Sequence, residues 1–157
     1  MMKKDIQLSE HFKLSEFTRS ATAQVRGIDN MPGQLEIENL RALCREVLEP
    51  LRAYAQQYGQ GATEVPIRIS SGYRCRLLNA AVGGVKNSQH MKGEACDIAI
   101  PDIATGEAWY VWLMDHCRFD QLIKERNRQD SKGFWIHVSY SRKHNRQTCI
   151  NGLVKHR

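Results

Sequence analysis

Ser88-Gln89-His90-Met91-Lys92-Gly93-Glu94-Ala95-Cys96-Asp97-Ile98-Ala99-Ile100 holds a histidine and an aspartate seven residues apart, with a glycine between them. On a continuous helix that spacing is two turns, too far for the two side chains to share one small cation. On an uninterrupted strand an odd spacing puts them on opposite faces. His90 and Asp97 therefore meet only if the chain bends between them, and Gly93 is where a bend costs least. The bend delivers Asp97 to the start of a strand in which Ile98 and Ile100 alternate with small residues. Ala95 and Ala99 leave room around the carboxylate. Read this way, the stretch supplies two ligands of a metal site.

A third ligand comes from Phe134-Trp135-Ile136-His137-Val138-Ser139-Tyr140, whose β-forming residues predict a strand. Trp135, His137 and Ser139 fall on one face of it and Ile136, Val138 and Tyr140 on the other. A histidine in mid-strand can point into a cleft. Two imidazoles and one carboxylate leave a fourth tetrahedral position for water, which is the pattern of a catalytic rather than a structural zinc.

The pattern Ser-x-His-x-x-Gly-x-Ala-x-Asp at 88–97, preceded by Ile69-Ser70-Ser71-Gly72-Tyr73-Arg74 and followed by Trp135-Ile136-His137-Val138-Ser139, resembles the zinc D-alanyl-D-alanine carboxypeptidase family. It most resembles the branch of small, single-domain members found in bacteria and phages. The resemblance runs from about Pro66 to Tyr140, and Leu14-Ser15-Glu16-Phe17 also looks like this branch. It implies a hedgehog/DD-peptidase-like α+β fold, a small and mostly antiparallel sheet with helices packed on one side and Zn²⁺ bound at its exposed face or edge. The implied ligands are His90, Asp97 and His137, and the implied activity is hydrolysis of a peptide bond in peptidoglycan or its precursors. A second reading is a zinc-stabilised module that binds the wall or a protein and has lost hydrolysis, as the hedgehog relatives illustrate.

Amide hydrolysis also needs a proton carrier that does not bind the metal. Family members often place an acid three residues before the last histidine, and here that position is Phe134. Glu125 is the preferred replacement, because Phe119-Asp120-Gln121-Leu122-Ile123-Lys124-Glu125 is similar to the acid-bearing segment of the hedgehog signalling domain. Asp130 competes from the turn seven residues before His137, and a surface role for both is the bland alternative. Arg74 occupies the family's Ser-Gly-Tyr-Arg position and can hydrogen-bond a substrate carboxylate or a developing oxyanion through its planar guanidinium. Against this stand a strand-end salt bridge and the neighbouring Arg76. Ser88 either binds substrate or forms the turn before His90. His11, His116, His144 and His156 have no ligand-like surroundings.

A chain of 157 residues fits one domain, 1–157, with a sizeable core, and 41% apolar and 25% charged residues are ordinary for a soluble globular protein. No apolar run is long enough for a membrane span, and Met1-Met2-Lys3-Lys4 leads into polar sequence rather than a signal core. The expectation is a cytoplasmic monomer that reaches the cell wall after release or export by another protein, as a phage endolysin does through a separate pore. The net charge of +6 reads first as a solvated basic surface, then as attraction to an anionic polymer such as the wall. Nucleic acid comes third and is not the expected partner, since no basic patch interleaved with stacking aromatics stands out; such binding would show steep salt dependence and no need for zinc. Ser141-Arg142-Lys143-His144-Asn145-Arg146 is the densest basic run. Five cysteines, at 44, 75, 96, 117 and 149, include no Cys-x-x-Cys pair, so reduced and mostly buried thiols are expected, with Cys96 on the face opposite Asp97.

Along the chain, Leu8 to Phe17 is short and amphipathic, with Ser15-Glu16-Phe17 docking on the core. Asn30 as cap and Pro32 near the first turn predict a helix start. Apolar residues from Leu40 to Tyr58 then recur at helical spacing, with a kink at Pro50 and an end at Gly59 and Gly61. A strand is expected over Ile67–Ser71 and a short helix over Leu77–Val82. A second substantial helix spans Thr105–Cys117, with Trp109, Trp112 and Leu113 inward. The strand Phe119–Glu125 then pairs with the His137 strand as an antiparallel hairpin. The last dozen residues carry no assignable pattern.

Overall fold

Alternation sorts the side chains of a strand onto two faces, and here the two faces have different tasks. The computed structural model describes residues 3–58, 64–127 and 133–155. Its strands are β1 (Arg68–Ser71), β2 (Ala95–Ala99), β3 (Gln121–Asn127), β4 (Trp135–Ser139) and β5 (Thr148–Lys155), in spatial order β1-β2-β4-β3-β5. Every neighbouring pair is antiparallel except β3 and β5, so the fold is α+β with a mostly antiparallel sheet. In the central strands Asp97 pairs with His137, and His137 with Ile123, which puts these three and Glu125 on one face. Cys96, Ile98, Leu122, Ile136 and Val138 take the other face and are buried in the core.

That apolar face is covered by a helix in three parts, α3 (Gln34–Leu43), a π-helical turn (Cys44–Leu48) and α4 (Glu49–Tyr58). Leu40, Leu43, Val47, Leu48 and Leu51 are fully buried along it, each contributing about 1.5–3 kcal/mol of burial. The irregularity expected at Pro50 lies just upstream. The Glu49 N–H bonds the Cys44 carbonyl five residues back, a widened turn that takes up the missing proline donor and the crowding of its ring. Tyr58, at the helix end, is exposed rather than packed.

α6 (Ile103–His116) starts before Thr105 because Asp102 caps it, its carboxylate accepting from the Thr105 N–H at 2.8 Å. Trp109 and Leu113 are buried. Trp112 is only partly so, lying between Tyr54 and His116 with ring centroids 4.9 Å away on each side.

Of the short helices α1 (Leu14–Thr18), α2 (Ala21–Arg26) and α5 (Arg76–Ala81), the first packs against β1 and the other two against each other. Leu8, Phe12, Leu14 and Phe17 are buried, so the N-terminal segment docks as expected. Asn30 is not the cap of α3; Gly33 holds that position. Asn30 is instead buried, donating to the Thr18 and Tyr73 carbonyls and accepting from the Cys75 N–H at 2.7 Å. It ties the N-terminal segment to the loop that carries Arg74. The cysteines are free thiols, and burial pushes the Cys96 thiol well above its ordinary value.

Candidate metal centre

The bend between His90 and Asp97 is a 3₁₀ turn, Gln89–Lys92, closed by Gly93 in the left-handed region at φ 69°. Glycine is required there twice over. A side chain would be strained at that φ, and a Cβ would sit 2.4 Å from the Glu36 carbonyl oxygen of α3. Asn39, also on α3, donates to the Lys92 carbonyl at 2.8 Å and clamps the same turn. The Ser88 hydroxyl accepts from the His90 N–H at 3.3 Å, so the turn-forming role of this serine is realised while it also lines the cleft.

His90 is held from behind. Its Nδ1 donates to the Gly72 carbonyl at 2.7 Å, which fixes the tautomer and leaves Nε2 as a bare acceptor facing Asp97. Gly72 can approach because it lacks a Cβ, which would lie 2.6 Å from the Phe17 backbone. Asp97 Oδ1 is 3.4 Å from His90 Nε2 and 3.0 Å from His137 Nδ1. The two imidazole rings stand 5.1 Å apart, inclined by 60°.

All three residues are buried, and their ligating atoms lie within 4.8 Å of one another. Ligands at the corners of a tetrahedron around zinc, with bonds of about 2.0–2.1 Å, stand about 3.4 Å apart, close to both edges measured from Asp97. His90 Nε2 has no hydrogen-bond donor among the described residues, so it is an orphaned buried acceptor that a cation would satisfy. The residues therefore fit a metal ion.

The electrostatics point the same way. Burial drives the His90 imidazole below its ordinary pKa against the opposing pull of Asp97, which favours the neutral, ligating form. Burial pushes the Asp97 carboxyl up, but His90 and His137 together outweigh it and hold the group well below the usual carboxylate range.

Glu125, one strand over, is 1% exposed and has Oε1 3.9 Å from His137 Nδ1. Arg74, half-buried, lines the same cleft, with Nη2 3.5 Å from the Ser88 hydroxyl and its backbone N–H donating to the His90 carbonyl. Arg76 is not among the cleft-lining residues. Asp130 lies outside the described residues, as do Gly59, Gly61 and His156. Phe134 is buried in the core, beneath the Lys124 ammonium and the Arg126 guanidinium. His11 pairs with Glu49 at 2.8 Å, His116 stacks on Trp112, and His144 is exposed.

One further group is not apparent from any motif. Asp120, buried immediately before β3, accepts two guanidinium hydrogen bonds and a backbone N–H from Arg146, and one from the Gln89 amide next to His90. Its only sequence signal is an acid beside an apolar strand.

A mostly antiparallel α+β sheet with two imidazoles and a carboxylate converging in a cleft of about 1200 Å³ forms a site that could hold one metal ion and leave a position for water, the ligand pattern of a mononuclear metal-dependent hydrolase. A model of the peptidase M15 family matches residues 10–139, and the chain belongs to that family of zinc-dependent peptidases. The match takes in the N-terminal helices as well as the region after Pro66. No curated protein shows significant similarity to the chain.

Proposed function

We propose that the protein hydrolyses a peptide bond in peptidoglycan or its precursors, as a D-alanyl carboxypeptidase or endopeptidase, with zinc held by His90, Asp97 and His137. When bound, zinc supplies a Lewis acid for the carbonyl and a water whose pKa falls to about 7. The observation that carries the reading is Glu125, a buried acid beside the ligand set but not part of it. Its carboxylate takes the proton from the attacking water and returns it to the leaving amine. Arg74 hydrogen-bonds the substrate carboxylate or the developing oxyanion, and Ser88 holds the turn and contacts substrate. The wall peptide is the partner, the protein works as a monomer, and it acts at the cell wall after release or export by another protein. Among the described residues no helix is long and apolar enough to cross a membrane.

The test is digestion of purified peptidoglycan, with and without a chelator, read by mass spectrometry of the released muropeptides. Chelator-sensitive release of new amino groups is expected, and the masses identify the bond. Glu125→Gln is expected to keep its metal and lose on the order of 10²-fold or more in turnover; unchanged turnover would move the proton carrier elsewhere. Phe134, in the position where family members often carry the acid, favours a second reading, a zinc-stabilised wall-binding module. Wall affinity without any release would establish it.

A further inference from the structure

We infer that Arg19 and Arg26 form a second anion-binding subsite in the cleft, one that selects peptides bearing a side-chain carboxylate at a distance from the scissile bond. The inference rests on the peptidase reading for the position of the scissile bond, but not for the anion preference itself.

Among the described residues, five cationic ones line the cleft, Arg19, Arg26, Arg74, Lys92 and Arg146, against two anionic ones, Asp97 and Glu125. Asp97 belongs to the ligand set and Arg146 is already paired with Asp120. Arg19 and Arg26 have no acidic partner within 4.0 Å among the described residues. A concave surface so biased in sign concentrates anions, and two guanidinium groups suit a planar carboxylate.

Their placement is built into the fold. Arg19 follows α1 and Arg26 ends α2, and the segment between them is anchored at both ends. Phe17 packs against Gly72, while Asn30 bonds the Thr18 carbonyl together with the Tyr73 carbonyl and the Cys75 N–H on either side of Arg74. The backbone that carries the two arginines is thus fixed relative to Arg74, while their side chains are exposed and reach the cleft from its rim. Beside them, Leu78, Ala81 and Val82 of the α5 region give the same wall an apolar strip. At about 1200 Å³ the cleft exceeds the roughly 300–1000 Å³ that suffices for a drug-sized ligand, so it holds several residues of an extended peptide.

The test compares two synthetic pentapeptides ending in D-alanyl-D-alanine, one with a glutamate and the other with a glutamine in the residues before the scissile pair. With zinc-loaded protein, kcat/KM is expected to favour the acid peptide through KM. Arg19→Gln or Arg26→Gln each lowers the acid-to-amide ratio about fivefold, corresponding to about 1 kcal/mol for an exposed ion pair. Because both peptides meet the same preparation, any misfolded fraction cancels from the ratio. Arg19→Lys and Arg26→Lys retain most of the preference. Arg45→Gln, which removes one positive charge outside the cleft, leaves it intact. If neither peptide is cleaved, fluorescence anisotropy of labelled peptides on the zinc-loaded protein decides: tighter binding of the acid peptide that weakens in Arg19→Gln upholds the subsite while refuting only cleavage of the D-alanyl-D-alanine bond. Equal kcat/KM or equal affinity for the two peptides, or a ratio unmoved by both arginine substitutions, overturns the subsite.

Discussion

Gly93 and Gly72 show how much of the centre depends on single residues that ligate nothing. At Gly93 an alanine meets both an unfavourable φ of 69° and the Glu36 carbonyl. Gly93→Ala is expected to lose about 2 kcal/mol or more of stability in urea denaturation. It is also expected to bind zinc more weakly in a competition titration against a chromogenic chelator, since His90 moves with the turn. The group that could hold a metal, His90, Asp97 and His137, was legible in the sequence because the surrounding motifs resemble a zinc peptidase family, while the seven-residue spacing by itself shows only that the chain must bend. The Gly72 carbonyl that orients His90 was not legible, because a backbone acceptor has no residue type by which to be seen. Asn30 misled for a related reason: asparagine before a helix reads as a cap, while its amide is used instead to join two loops.

At the scale of elements, the Asp120 cluster joins the start of β3, the loop before β5 and the turn that bears His90. Hydrogen bonds from Arg146, chiefly, hold the Asp120 carboxyl down to about 2. A carboxyl whose folded pKa is depressed stabilises the protein above its ordinary value of 3.8 and loses that contribution as the pH falls towards about 2. Asp120→Asn should therefore be destabilised by about 1 kcal/mol at neutral pH, a figure discounted for the half-exposed Arg146. The gap from the unsubstituted protein should narrow between about pH 4 and pH 2 in chemical denaturation. β5 escaped the sequence reading because its alternation is broken at Asn151-Gly152. Gly152, at φ 81°, takes up an extra residue where Lys124 pairs with Asn151 and Glu125 with Leu153. Its parallel pairing with β3 is long-range and leaves no local turn signal. The long helix and the β3–β4 hairpin were legible from period alone, apart from ends shifted by a residue or two.

For the whole molecule, the ion would tie together three separate pieces of chain, the 3₁₀ turn, β2 and β4. Removing it leaves an ionised Asp97 between two buried imidazoles, so chelator-treated protein should melt at lower temperature. Added zinc should restore the transition, with a gain of about 2.7 kcal/mol at a free concentration 100 times Kd. A scan that is unchanged by chelator would mean that the metal plays no part in holding the fold.

The contact of Phe17 with Gly72 bears on where this protein can be cut. The three candidate ligands, Glu125 and Arg74 lie beyond residue 66, so a chain shortened to 34–157 keeps every candidate site residue and loses only the Leu14-Ser15-Glu16-Phe17 resemblance. It would nonetheless lose the buttress behind the carbonyl that steers His90, and the Asn30 tie with it. Such a fragment should purify with little zinc, and supplying residues 1–33 as a separate peptide should return it.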